Sequence, residues 1–228
     1  MKKHIVVLTG AGISAESGIK TFRDADGLWE GHDVMEVASP EGFAQNPELV
    51  LNFYNERRKQ LKEVKPNQAH LNLAILEKDY KVTIITQNVD DLHERAGSTD
   101  VVHLHGELRK IRSTRDENDI KIWDEDLKLG DTCEKGYQLR PHIVWFGDAV
   151  PMIDTAVKIC YAADILIIIG TSMQVYPAAS LIDYVQPNTP IYYIDPKPAI
   201  NDSGKITVIS KSATEGTKDI MRILKDSE

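Results

Sequence analysis

His103-Leu104-His105-Gly106 closes a short apolar run, and an imidazole in that position can act as a general base near neutral pH. Period-two alternation puts His103 and His105 on one face of a strand, with His105 nearer its carboxyl end. Thr86-Gln87-Asn88-Val89-Asp90 ends a second apolar run, and its polar side chains suit hydrogen bonds to a ribose or an amide. Gly10-Ala11-Gly12-Ile13-Ser14 follows Ile5-Val6-Val7-Leu8. A strand that breaks into glycines and opens a helix at Ser14 presents backbone N–H groups to phosphates, although Ala15 breaks the full dinucleotide fingerprint. Gly170-Thr171-Ser172 is a second turn of that kind, and Asp195 stands where a carboxylate would hold ribose hydroxyls and favour NAD over NADP. Plainer readings exist for each: a structural histidine, Asn88 as a helix cap, Asp195 as a turn residue before Pro196. Their shared position at strand ends favours a common dinucleotide over a set of coincidences.

A second chemistry sits on a helix that opens at Asn46-Pro47, where Asn serves as N-cap and Pro takes the first helical position. Its apolar stripe runs Val50, Phe53, Tyr54 and Leu61, and Arg57 falls inside it. A charge on an inward face is costly unless paired. Tyr54 and Arg57, at i and i+3, together offer a hydroxyl and a guanidinium fork suited to a carboxylate; pairing of Arg57 with an internal acid is the alternative. Arg58 and Lys59 read as solvated surface. Phe22, Arg23 and Trp29, just beyond the first glycine turn, suit a flap over a nucleotide, or an ordinary amphipathic connection.

The elements that must position these groups are short β-rich runs alternating with helices: Ile5–Leu8, Val82–Thr86, Val101–Leu104, Ile143–Phe146, Ile165–Ile169, Ile191–Ile194 and Ile206–Ile209. The unbroken run at 165–169 predicts a central parallel strand covered on both faces. The expectation is an α/β fold, a doubly wound, Rossmann-like parallel sheet with a smaller inserted module. Residues 1–20, 67–106 and 141–228 are assigned to the nucleotide-binding domain. Residues 21–66, largely helical, and 107–140, charged and poor in strand signals, are assigned to the small module. A net charge of −8 over 228 residues argues against coating nucleic acid. Two cysteines suggest a reducing compartment, Met1-Lys2-Lys3 with its short apolar run is too small for a secretory leader, and no stretch is long enough to span a membrane. A cytoplasmic location follows as the expectation.

The chain resembles the sirtuins, NAD-dependent protein-lysine deacylases, through Gly10–Ser14, Thr21-Phe22-Arg23, Thr86–Asp90, Leu104-His105-Gly106, Val144-Trp145-Phe146-Gly147-Asp148 and Gly170-Thr171-Ser172. The resemblance implies that NAD is the co-substrate and that an acyl-lysine oxygen displaces nicotinamide, giving free lysine and acyl-ADP-ribose. It makes His105 the base, with Asn88 and Asp90 orienting the nicotinamide end and water, and Gln87 a ribose contact. It places Gly10, Ala11, Gly12, Ser14, Phe22, Arg23, Trp29, Gly170, Thr171, Ser172, Asp195 and, on the adenine side, Ala213 around the cofactor. Trp145, Phe146 and Gly147 would pair with the substrate backbone as an added strand. The Tyr54-x-x-Arg57 spacing is similar to the branch that removes succinyl and malonyl groups, and the small Ala25 would leave room for the longer acyl chain. Many sirtuins hold zinc with two Cys-x-x-Cys pairs; here those positions fall near Ser113, Asp116 and Cys133, so zinc is expected to be absent and the module to pack around Ile120, Ile122, Trp123 and Leu127. Acyl-lysine proteins are the implied partners. A plain deacetylase, an NAD or ADP-ribose sensor, and an ADP-ribosyl transferase remain alternatives.

Overall fold

The computed structural model describes residues 2–20 and 28–226. Its strands are β1 (His4–Thr9), β2 (Leu28–Trp29), β3 (His32–Asp33), β4 (Lys81–Thr86), β5 (Val101–His103), β6 (Gly106–Ser113), β7 (Ile120–Ile122), β8 (Leu139–Ile143), β9 (Ile165–Ile169), β10 (Ile191–Ile194) and β11 (Ile206–Ile209). The α-helices are α1 (Val34–Val37), α2 (Pro40–Gln45), α3 (Pro47–Glu63), α4 (Gln68–Leu76), α5 (Leu92–Ala96), α6 (Ile153–Tyr161) and α7 (Ala213–Asp226).

Six strands form a parallel sheet in the order β11-β10-β9-β1-β4-β5. The chain runs outward from β1 in one direction through β4 and β5, then returns to the other side through β9, β10 and β11. That reversal places a crevice at the carboxyl ends of β1 and β9, where ligands of such sheets bind. Every residue of β1 and β9 is buried, as expected for strands covered on both faces. Alternate side chains divide between two cores. Ile5, Val7, Ile84, Ile167 and Ile169 meet Leu73 of α4 and Ile220 and Leu224 of α7. Val6, Leu8, Ile85, Leu166 and Ile168 meet Ala156 and Cys160 of α6. The Rossmann-like doubly wound architecture is therefore present.

Three expectations need correction. No α-helix opens at Ser14: Ala11–Ile13 and Ala15–Ser17 are single 3-10 turns, and Gly18 at φ 96° stops the second. The run Ile143–Phe146 is not a strand of the parallel sheet. It begins where β8 ends, and it leaves the ladder because the Phe146 N–H donates to Ala38 O and the Trp145 N–H to the Asp148 carboxylate. Residues 107–140 carry strands after all, since β6 lies between β7 and β8 in an antiparallel sheet. Ile120 and Ile122, expected inside, are 43% and 74% exposed on its edge strand. Leu127 is buried as expected, with Ile111, Cys133 and Leu139 against Leu51 of α3, and Trp123 packs at the margin. Helix α3 forms as expected, with Asn46 Oδ1 accepting from the Leu49 N–H and Pro47 in the first turn. It joins Val37, Leu108, Ile143 and Trp145 in a shared core. Among the described residues, no helix is long and apolar enough to cross a membrane.

Candidate active site

The two glycine turns interlock backbone against backbone at the sheet reversal. Gly10 N–H donates to Ile169 O at 3.0 Å and Gly12 N–H to Gly170 O at 2.8 Å. A Cβ on Gly12 would lie 2.6 Å from Gly170 Cα, and one on Gly170 would lie 2.4 Å from Ile13 N. Gly170 also has φ +62°, which favours glycine. The expectation of bare phosphate-binding donors at the first turn is thus corrected in part. The N–H groups of Gly10, Gly12, Ile13 and Ser14 all donate within the protein, the last two to Gly10 O and Ala11 O. What the glycines provide is close approach. Thr171, beside them, accepts from Gln87 Nε2 at 3.1 Å through its Oγ1, and its carbonyl accepts from the Tyr193 hydroxyl at 2.8 Å. Ser172 continues the same turn. Asp195 lies at the end of β10, buried, with its carboxylate accepting from the Lys197 N–H, and Gly170 N–H donates to the adjoining Ile194 O. Ala213 opens α7 in the same core cluster as Ile13 and Ile194.

A carboxylate that composition and spacing left unremarked ties this region together. Glu16 accepts from the Thr214 N–H at 3.0 Å, from Thr214 Oγ1 at 2.7 Å and from Ser212 Oγ at 3.2 Å, capping α7 from outside.

The polar ends of β4 and β5 meet beside the first turn. Asn88 Nδ2 donates to Ser14 Oγ at 3.2 Å, and Ser14 Oγ donates to Asp90 Oδ2 at 3.0 Å. Asn88 does not cap a helix; the Leu92 N–H of α5 is met by Asp90 Oδ1. Burial pushes the Asp90 carboxyl up to about 6, against the pull of its Leu92 and Ser14 hydrogen bonds. Three consecutive carbonyls are held by three consecutive residues: Thr86 O by the Leu104 N–H, Gln87 O by His105 Nδ1 at 2.9 Å, and Asn88 O by His103 Nδ1 at 3.0 Å. Because a carbonyl only accepts, His105 Nδ1 carries the hydrogen and its neutral ring keeps the lone pair on Nε2. Burial lowers the His105 pKa below the ordinary imidazole value, so that neutral form predominates near pH 7. A half-buried neutral imidazole with a free Nε2 lone pair can serve as a general base.

Asp90 and Val89 also line a cleft of about 450 Å³, counting its open mouth, together with Trp29, Arg57, Leu61 and Leu108. Arg57 stacks over the Phe53 ring at 5.1 Å, and its buried Nε has no hydrogen-bond partner. Glu30, on the same cleft, pairs with Lys20 at 3.1 Å. Among the described residues Arg57 pairs with no carboxylate. Tyr54 is fully buried, and its hydroxyl accepts from the Trp145 indole N–H at 2.9 Å; it is not among the residues lining the cleft. Burial raises its phenol pKa far above the usual value, so it stays neutral. Arg140 lies over the Trp145 ring at 3.3 Å, and Asp148 ties Arg140 and Arg112 to the segment. Phe146 is half exposed and Gly147 adopts φ +95°.

Arg58 corrects the sequence reading outright. It is 2% exposed, not solvated: Nε donates to Leu108 O at 3.1 Å, and Nη1 to Asn55 Oδ1 at 2.8 Å and Glu125 O at 3.2 Å. Its position, four after Tyr54 and three before Leu61, carried the inward signal. Lys59 is exposed as expected. Phe22, Arg23 and Ala25 lie outside the described residues.

The cofactor test is favourable. Close-approach glycines, a buried Asn88-Ser14-Asp90 chain and a base with an open Nε2 converge where a dinucleotide would lie in this fold. The zinc test is not: Cys133 takes a hydrogen bond with Ser113 and Asp116 pairs with Lys135 at 2.9 Å, a donor set with one thiol. Among the described residues, no three His, Cys, Asp or Glu side chains are grouped to hold a metal ion.

A model of the Sir2 family matches residues 10–177. An NAD-dependent protein deacylase of Helicobacter pylori is 59% identical over 220 residues, covering 96% of this chain and 96% of that protein. One from Bacteroides thetaiotaomicron is 56% identical over 229 residues, covering 97% and 98%. A crystal structure of a Sir2 homologue–NAD complex superposes with a TM-score of 0.86 at 40% identity, covering 99% of this chain and 91% of that one.

Proposed function

This chain belongs to the Sir2 family and is an NAD-dependent protein-lysine deacylase; on that premise we propose that it prefers acidic acyl groups, succinyl and malonyl, and retains acetyl removal. The observation that carries the preference is Arg57, which lines the cleft beside Asp90 with a buried, unpartnered Nε and no carboxylate partner among the described residues. A guanidinium held over an aromatic face in a half-closed cleft is completed by an incoming carboxylate, which forms charge-assisted hydrogen bonds to it. Tyr54 contributes by holding Trp145, through the indole-to-hydroxyl bond, and by keeping α3 in place under Arg57. Ala25 is assigned a role in admitting the longer acyl chain.

When bound, NAD supplies an electrophilic ribose carbon and a nicotinamide leaving group. The chain's own residues do the rest. His105 Nε2 accepts a proton from the ribose hydroxyls, its Nδ1–H fixed on Gln87 O. Asn88 and Asp90, linked through Ser14, orient the nicotinamide end and the water. Gly10, Ala11, Gly12, Ser14, Gly170, Thr171 and Ser172 form the cradle, Gln87 and Asp195 reach the ribose hydroxyls, and Phe22, Arg23, Trp29 and Ala213 complete the cofactor's surroundings. Trp145 and Phe146 have their N–H groups engaged inside the protein and Trp145 O accepts from the Asp148 N–H, so a substrate peptide would pair with the Phe146 carbonyl and with Gly147. We assign 1–20, 67–106 and 141–228 to the NAD-binding domain, and 21–66 with 107–140 to the smaller one. Acyl-lysine proteins are the substrates in this reading, and the cytoplasm its location.

The test compares kcat/KM on succinyl-, malonyl- and acetyl-lysine peptides with NAD. Arg57→Ala should cut succinyl turnover by about 10- to 150-fold, the span of one lost hydrogen bond to a charged group, and leave acetyl turnover within about threefold. His105→Tyr should abolish both. Succinyl turnover untouched by Arg57→Ala would rule out the assigned acyl pocket.

A further inference from the structure

We propose that His103 is a positioning residue, an imidazolium clamped between Glu94 and the Asn88 carbonyl that fixes Asn88 relative to the base His105. The proposal rests on the assigned roles of Asn88 and His105. Its foundation is that both neighbours of the ring are acceptors. His103 Nδ1 lies 3.0 Å from Asn88 O, and Nε2 lies 2.7 Å from Glu94 Oε1 on α5. A carbonyl has no hydrogen to give, and neither has an ionised carboxylate, so both ring nitrogens must carry hydrogens. A neutral ring could satisfy only one of the two contacts. His105, two residues on, shows the contrast: a single acceptor at Nδ1, and therefore a neutral base.

The surroundings agree with a charged ring. Burial opposes the charge, but the Glu94 hydrogen bond and charge, with the Asn88 carbonyl, raise the His103 pKa above the ordinary imidazole value. Burial likewise works against ionised Glu94, yet His103 holds its carboxyl below the usual range. Other charged groups facing the ring are Glu107 on β6, which favours the imidazolium, and Asp90 after β4, whose ionisation the imidazolium favours in return. Lys110, paired with Glu107, acts on Glu94, and His93 on α5 is buried and kept neutral.

The sign follows. The clamp is complete below the ordinary imidazole value and is lost as pH rises through the raised one, when one of the two contacts loses its hydrogen. Activity then falls on the alkaline side through His103 and on the acid side through His105.

Imidazole NMR of the full chain, titrated from about pH 5 to 10, reads the ring directly and does not depend on turnover. His103 should be doubly protonated at pH 7, with the Asn88 carboxamide resonances following its titration. In Glu94→Gln that titration should move down by about one to three pH units, and the alkaline limb of kcat should move with it while the acid limb stays. His103→Gln should lower kcat by about 10- to 100-fold with little change in peptide KM, and flatten the alkaline limb. A neutral His103 at pH 7, Asn88 resonances indifferent to it, or an alkaline limb unmoved in Glu94→Gln overturns the proposal. An inactive wild type that still shows the clamp by NMR, with Asn88 following it, would count against the deacylase reading alone.

Discussion

The interlocked turns allow a steric effect and a conformational one to be separated by three alanine substitutions. Gly130 has φ +95° with nothing within 4 Å of an added Cβ, so Gly130→Ala meets backbone strain alone, about 1 kcal/mol. Gly10 has an unstrained φ of −126°, but its Cβ would sit 2.8 Å from both Gly170 O and Thr171 Cβ. Gly10→Ala therefore meets crowding alone, about 2 kcal/mol. Gly170 combines φ +62° with a Cβ 2.4 Å from Ile13 N and 2.5 Å from Gly12 C, backbone atoms that cannot rotate aside. Its substitution should cost the sum or more, about 3–4 kcal/mol. At roughly 2–4 °C per kcal/mol for a chain of this size, Tm should fall by about 3, 6 and 10 °C in that order. Differential scanning calorimetry gives the stability ranking. NAD titration by isothermal calorimetry should show weakened binding for Gly10→Ala and Gly170→Ala, and wild-type binding for Gly130→Ala. A Gly170→Ala protein that melts and binds NAD like Gly130→Ala would refute the idea that backbone contact between the turns shapes the cradle.

Arg58→Ala removes three hydrogen bonds from a buried guanidinium and leaves the Leu108 and Glu125 carbonyls without that donor, while Asn55 Oδ1 keeps only the Leu127 N–H, so urea unfolding should show a loss of about 3 kcal/mol; Lys59→Ala should leave the midpoint where it was, and equal effects from the two would contradict the burial of Arg58. Chelation by EDTA or phenanthroline should change neither Tm nor turnover, because Ser113, Asp116, Lys135 and Cys133 present a hydrogen bond and an ion pair where zinc thiolates would be needed; a drop of several degrees on chelation would show that a metal holds the small sheet.

The parallel sheet was legible because its strands are buried on both faces and so read as unbroken apolar runs; Ile165–Ile169 and Ile191–Ile194 were placed to the residue. Helix α3 was legible from its cap. The small sheet was not, for reasons its residues make plain. β6 alternates Leu108 and Ile111 with charges across an irregular register, and its partner β8 lies some way along the chain and contains Arg140 and Pro141. Arg140 is buried there only because Asp148 and the Trp145 ring receive it, and burial beside Arg112 brings its pKa down to about 10. The candidate site was legible as residue types at strand ends, but not as charge states. Nothing in the spacing of His103 and His105 says that one is charged and the other neutral; that depends on Glu94, which α5 brings across. The helix expected at Ser14 does not form because Ser14 N–H closes the first turn on Ala11 O and Gly18, at φ 96°, closes the second on Ala15 O.

The Glu16 latch on α7 links the first loop of the chain to its last helix across 198 residues. Synthesis runs from the amino end, so a ribosome-tethered chain can pair β1 with β4 long before Thr214 emerges. Until then the carboxylate beside the glycine turn has no helix to close upon. The latch therefore closes only after β11, ending at Ile209, is available to complete the sheet.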